Sequence, residues 1–271
     1  IHWDTDDADT LTAFADGFFL PARALLERRP PTGADGVARG PAIPDILHLV
    51  LPGEEMAACE LERLVAAWRA ATRRRVLCHD LTRGATLVAE AAGADAARAY
   101  RMTRDPEQKA DLLMLAALRK AGGIALRAPQ WPGAGFDALV DGHAPGLVFR
   151  AGDGALSSDA MAFAAGHALP ARALDMAVAS CLSRDNDHRW FKTGPGLLTR
   201  AAACLDGAET ARPVAQATVL LPIRRLRRVV HPCGGVVRHQ PAGAAQQPAR
   251  ALEAAVRDIA AAQAPRCLPT G

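Results

Sequence analysis

The chain has 271 residues, half of them apolar, and a net charge of +3. That length suits one large domain, or a domain with appendages, and supplies enough apolar side chains for a sizeable core. The charge is too mild, and its signs too interspersed, to specify a nucleic-acid partner, and no apolar run reaches the roughly 18 residues of a spanning helix.

Aromatic residues make up 4% of the chain, so the core must be built mainly from Ala, Leu and Val. The six cysteines contain no Cys-x-x-Cys pair, which removes the zinc and redox motifs and points to reduced thiols. No basic segment followed by an apolar one opens the chain, so a secretory leader is not expected and a cytoplasmic protein is.

Residues 1–28 carry Asp4, Asp6, Asp7 and Asp9 and then a predicted helix with Phe14, Phe18, Phe19 and Leu20. Aspartates at a helix start interact favourably with its dipole; the missing turn Gly and closing Glu argue against a calcium loop. The Pro/Gly-rich stretch 29–42 reads as a linker, making 1–42 an N-terminal helical extension. A buried strand follows at Ile46–Leu51, between Pro44 and Pro52, and then a helix at Glu54–Thr72 with Leu61, Leu64, Val65 and Trp68 at helical spacing. Val76–Cys78 is a second strand and Leu81–Tyr100 an Ala-rich helix.

Asp105-Pro106-Glu107-Gln108 is a helix start: Asp105 caps, Pro106 suits the first turn and Gln108 can close a capping box. That helix runs to about Lys120 and stops at Gly122-Gly123. Strands are predicted at Ile124–Leu126, Leu147–Phe149 and Ala215–Leu221. Helices are predicted at Ser157–Gly166, Ala171–Leu182 and Gly196–Leu205, and a hairpin at Val229–Val237. Residues 241–271 read as a C-terminal linker and helix, leaving 43–240 as the principal domain. Strands alternating with helices imply an α/β fold, a mainly parallel sheet with flanking helices, in which ligands sit beyond the carboxyl ends of the strands. The ends to watch are Pro52, Cys78-His79-Asp80 and Arg127 onward.

Asp111 is the most informative residue. It lies among Ala110, Leu112, Leu113, Met114 and Leu115, and no Lys or Arg stands three or four positions away. A carboxylate there requires a partner or a polar opening. Either it meets backbone N–H groups or an Arg of another element and stabilises packing, or it faces a ligand cleft. The histidines show no His-x-x-x-His spacing; His79-Asp80 is the better pair, since it follows a strand at the ligand-facing edge. Asp185-Asn-Asp187-His188 is a polar loop. No Gly-x-Gly-x-x-Gly, Walker-type loop or Gly-x-Ser-x-Gly elbow occurs, which argues against a dehydrogenase, a P-loop enzyme and an α/β-hydrolase. Two runs, Arg73-Arg74-Arg75 and Arg224-Arg225 with Arg227-Arg228, are either solvated faces or basic patches suited to an anionic acceptor or membrane surface.

An ordered set of segments resembles the nucleotide-sugar glycosyltransferases that carry an Asp-x-Asp motif, the class that includes mannosyltransferase-like and clostridial-toxin-like enzymes. Ile43-Pro-Asp-Ile-Leu-His-Leu-Val50 is similar to the family's opening block, and Trp68 with Arg75-Val-Leu-Cys-His-Asp80 follows in similar order. Asp111 stands in the frame of the family's Ser-Asp-x-x-Arg, and Gly122-Gly123-Ile124 in that of Gly-Gly-Ile. Gly166-His167 and Thr193-Gly194-Pro195 resemble two later segments. The likeness spans about 43–240. The two aspartates of the family motif fall on Arg127 and Pro129, and its Arg falls on Met114.

The resemblance implies a Rossmann-like, GT-A-like fold, a nucleotide-sugar donor and a glycan or glycoconjugate acceptor, with no nucleic acid. It implies catalytic roles for Arg127 and Asp111, and substrate contacts at His48, His79, Asp80, Gly122, Gly123, Thr193, Gly194 and Pro195. No metal ligands are assigned, because Arg127 is cationic and Pro129 has no donor, so a divalent metal is not expected here. Two readings stand: an enzyme in which Arg127 replaces the metal, or a catalytically degenerate member that binds or scaffolds. Peripheral contact with the inner face of an anionic membrane would run through Arg224, Arg225, Arg227 and Arg228.

Overall fold

The computed structural model describes residues 41–51, 58–143, 145–151, 155–183, 189–206 and 218–232. The predicted N-terminal and C-terminal helices and the polar loop 185–188 lie outside them. In chain order the elements are β1 (Ile46–Val50), α1 (Ala58–Ala71), β2 (Arg75–His79), α2 (Gly84–Met102), α3 (Pro106–Ala121), β3 (Gly123–Arg127), β4 (Gln130–Pro132) and α4 (Phe136–Val140). They continue as β5 (Gly146–Arg150), β6 (Leu156–Phe163), α5 (Ala168–Leu182), α6 (Arg189–Lys192), α7 (Pro195–Asp206), β7 (Thr218–Pro222), α8 (Ile223–Leu226) and β8 (Val230–Pro232).

Six strands form one sheet in the order β2-β1-β3-β6-β5-β7. β1, β2, β3, β5 and β7 run in one direction, and β6 runs against its neighbours β3 and β5. Helices cover both faces. On one, α2, α3, α5 and α7 supply a cluster built around Val88, Leu113, Leu118, Leu174 and Leu197. On the other, α1, α4 and the β4–β8 ribbon enclose Leu49, Trp68, Leu126, Phe136 and Val230. The α/β class with a mainly parallel sheet, expected from the alternation of segments, is the fold observed.

Two elements differ from their predictions. Residues 157–166 were expected to be helical, but Leu156–Phe163 is a strand. It lies between β3 and β5, so helices cover it on both sides and nearly every side chain is buried. A strand buried on both faces loses the period-two alternation that reveals strands, and Ala and Met then favour a helical reading. The predicted hairpin at Val229–Val237 is, over its described part, a strand that pairs instead with β4.

Helix α3 sets the position of the site. Asp105 caps it by accepting a 2.9 Å hydrogen bond from the Glu107 amide, with Pro106 in its first turn. Leu112, Leu113, Met114, Leu115 and Leu118 are all buried, the mark of a central helix, and each contributes about 1.5–3 kcal/mol of apolar burial. The helix ends at Gly122, whose φ of 64° suits glycine, and a Cβ there would lie 2.5 Å from the Ala165 amide nitrogen. The chain then reverses into β3. The amino end of α3 therefore stands beside the carboxyl end of β3.

Candidate functional site

That reversal brings Asp111 to Arg127, sixteen residues away. The Arg127 Nη2 donates to Asp111 Oδ1. Its Nη1 lies 3.4 Å from the Glu107 carbonyl oxygen and 3.3 Å from Glu107 Oε2. A second guanidinium comes from α6: Arg189 Nε donates to Asp111 Oδ2 at 2.9 Å, Nη2 to Oδ1 at 3.2 Å, and Nη1 lies 3.1 Å from Glu107 Oε2. Thr193 completes the set, its hydroxyl donating to Asp111 Oδ2 at 3.0 Å.

Asp111 thus accepts four hydrogen bonds, two on each oxygen, which is the capacity of an ionised carboxylate. Its side chain is 1% exposed. Of the two readings for Asp111, the geometry is that of a carboxylate met by arginines of other elements: protein donors fill its lone pairs, and it holds Arg127 and Arg189. Burial works against the Arg189 charge, but Asp111 first, then Glu107 and Asp105, outweighs it and raises that pKa. Arg127, with 12% of its side chain exposed, has a buried Nε without a hydrogen-bond partner among the described residues; the carboxylate oxygen paired with it, on Asp159 of β6, is 4.0 Å away.

Thr193 is positioned by a tight turn. Its amide and that of Gly194 both donate to the Arg189 carbonyl at 3.0 Å. A Cβ on Gly194 would lie 3.2 Å from that same oxygen, and Pro195 opens α7. Arg189 and Thr193 therefore enter the cluster from one turn of chain.

The other residues of interest lie elsewhere. Gly122 and Gly123 stand at the opposite end of β3 from Arg127, roughly 13 Å along the strand from Gly123. A Cβ on Gly123 would lie 2.6 Å from the Ile46 carbonyl oxygen, so both glycines allow close backbone approach. His48 is buried in β1, and its Nε2 lies 3.0 Å from the Gly122 carbonyl oxygen while its Nδ1 lies 2.8 Å from His79 Nε2. Burial, then the neighbouring His79, lowers the His48 pKa to about 4, and burial lowers that of His79. With both rings neutral, His48 donates to Gly122 and accepts from His79. Asp80 is exposed and accepts from the Thr82 amide at 2.6 Å, fixing the turn into α2.

The donor set does not fit a divalent cation. Both Asp111 oxygens are engaged by two guanidinium groups and a hydroxyl, and the guanidinium charges repel a cation. Among the described residues no group of three or more His, Cys, Asp or Glu side chains is arranged to hold a metal.

Sequence reasoning assigned no site role to Glu107 or Arg189. Glu107 stands four positions before Asp111, on the same helix face. Arg189 stands four before Thr193, which the resemblance had already singled out; that spacing was the available signal.

No family model matches the chain, and no curated protein does. Among solved structures it is similar to one titled PaToxG Glycosyltransferase, with 14% identity over 78% of this chain and 87% of that one and a TM-score of 0.47. The α/β assignment rests on the strand order and pairing described above.

Proposed function

We propose that the chain is a glycosyltransferase-like protein that takes a nucleotide sugar at the carboxyl edge of its sheet and transfers the sugar to a glycan or glycoconjugate acceptor without an Asp-x-Asp metal. The observation that carries this reading is Arg127: a guanidinium at the end of a central parallel strand, where α/β sheets bind ligands, held by Asp111 and Glu107 with Arg189 beside it. Sugar transfer breaks the bond between the anomeric carbon and the diphosphate oxygen and forms one to an acceptor hydroxyl, which loses its proton. Negative charge grows on the departing diphosphate. A guanidinium answers it with hydrogen bonds to phosphate oxygens and with full charge, as a metal ion would. Arg127 has a spare donor in Nε, whose ion pair with the half-exposed Asp159, at 4.0 Å, is the longest of its ion pairs and the first a phosphate would displace.

A second reading is supported by the saturation of Asp111: a cluster so fully paired also serves as a rigid lock in a non-catalytic binding or scaffold protein. Calorimetric titration with uridine and guanosine diphosphates, with and without manganese, separates the two. Metal-independent binding of either nucleotide is expected, weakened roughly 10- to 100-fold by Arg127→Gln. Binding that requires manganese contradicts the arginine mechanism, and no binding of either nucleotide leaves the scaffold reading.

A further inference from the structure

After β7 the chain makes the single helical turn α8. Leu226 is buried in the core cluster, while Arg224, Arg225, Arg227 and Arg228 around it are exposed. Backbone bonds fix this turn: Arg227 N to the Ile223 oxygen at 3.1 Å and Val229 N to the Leu226 oxygen at 2.9 Å. The Val229 carbonyl in turn accepts from the Gly133 amide at 2.8 Å, and β8 pairs with β4. The turn is therefore tied to the segment that leaves Arg127, and it stands at the carboxyl edge of the sheet because β7 runs parallel to β5 and ends there.

These four arginines differ from the other clustered cations of the fold. Arg73 and Arg74 are covered by Asp45, Asp137 and Asp141; Arg119 pairs with Asp175, and Lys120 with Glu90. Among the described residues no carboxylate meets Arg224, Arg225, Arg227 or Arg228. Four charges with no carboxylate partner among the described residues thus sit on one turn.

We propose that this turn is a docking surface for an anionic lipid bilayer, which it would bind peripherally with the carboxyl edge of the sheet turned toward the lipid. A cluster of four or more basic residues on one short element is what a negatively charged surface attracts. No helix among the described residues is long and apolar enough to cross a membrane, and the contact proposed here runs through the four exposed guanidinium groups. A single-stranded nucleic acid is the weaker fit. Its sites use stacking aromatics, and among the described residues the exposed large apolar side chain is Met102. One turn of about 6 Å also follows a phosphate backbone poorly. This inference stands whether or not the chain binds a nucleotide.

The test is flotation of the full chain with phosphatidylcholine vesicles, alone or with about 30% phosphatidylserine, at roughly 0.1 M and 1 M salt. Wild-type protein is expected to bind only the anionic vesicles, and only at low salt. The variant Arg224→Gln/Arg225→Gln/Arg227→Gln/Arg228→Gln should lose on the order of 500-fold in partitioning, about fivefold per arginine. Arg225→Gln/Arg228→Gln should lose roughly 25-fold and guards against a fold defect in the larger variant. A charge-matched control, Arg63→Gln/Arg98→Gln/Arg101→Gln/Arg104→Gln, removes four exposed arginines elsewhere and should bind nearly as wild type. The proposal is overturned by equal binding to neutral vesicles, by no binding, by an equal loss in the control, or by tighter binding to a single-stranded oligonucleotide than to vesicles at the same salt.

Discussion

Two arginine–carboxylate clusters stand at opposite ends of the same sheet. At the amino end, Arg73 and Arg74 precede β2 and bind Asp45, Asp137 and Asp141. At the carboxyl end, Arg127 and Arg189 bind Asp111 and Glu107. The ingredients are nearly the same, but the surroundings are inverted. At the amino end a buried guanidinium, Arg74, is served by carboxylates on the surface, with Asp45 61% exposed. At the carboxyl end the carboxylate of Asp111 is buried and the arginines lead outward. The first arrangement stitches a loop to a short helix. The second is a buried anion that holds two cations near the carboxyl ends of the strands, the edge where α/β sheets bind ligands. Which partner is buried, and at which end of the strands, distinguishes a clamp from a candidate site.

The largest expected effect tests that inversion. Asp111→Ala leaves Arg127 and Arg189 facing each other with only Glu107 between them. Removing one partner of a buried ionic network costs about 3–5 kcal/mol, measurable by urea unfolding. A loss below about 1 kcal/mol would put the two clusters on the same footing and withdraw the support role from Asp111.

Next comes the histidine pair, which lies on the same face of the sheet but carries no charge at neutral pH. The folded pKa of His48 is about 4, against 6.5 for the free side chain. The unfolded chain therefore binds more protons between those values, and stability rises with pH. The contribution is fully present above the unfolded value near 6.5 and is lost as pH falls toward 4. The span corresponds to about 3 kcal/mol at most. His48→Gln should flatten the stability profile between those limits; an unchanged slope would mean that other groups set it.

The sequence made part of this site legible. The apolar run Ala110 and Leu112 to Leu115 around Asp111 demanded a partner, because a carboxylate is not buried alone. They did not name the partner, since helical periodicity sees only three or four positions away, whereas Arg127 lies sixteen residues on and Arg189 seventy-eight. Gly122-Gly123 was readable as a helix stop; its close approach to Ala165 and Ile46 is tertiary and was not. The run Arg73-Arg74-Arg75 read as a candidate basic patch, but Asp137 and Asp141, over sixty residues away, neutralise Arg73 and Arg74. Arg224–Arg228 looked similar in sequence and remains exposed in the fold. Charge runs are local, and their compensation is not.

The smallest expected effect belongs to the amino-end clamp. Two hydrogen bonds from Arg73, then the bond and charge of Arg74, hold Asp141 well below its ordinary value, at about 2. A depressed acid contributes stability above its unfolded value near 3.8 and loses it as pH falls through 2. Read literally that shift is large, but Asp141 and Arg73 are both more than a third exposed, so solvent and salt screen the pair and about 1 kcal/mol or less survives. Asp141→Asn should therefore destabilise slightly at neutral pH, by less in 1 M salt than in 0.1 M, and by progressively less as pH falls through about 2. Asp111 is shielded from that screening by burial, so the loss in Asp111→Ala should change little with salt. A salt response of equal size in the two variants would mean that burial does not separate the clusters, and the contrast between clamp and site would have to be drawn from position along the strands alone.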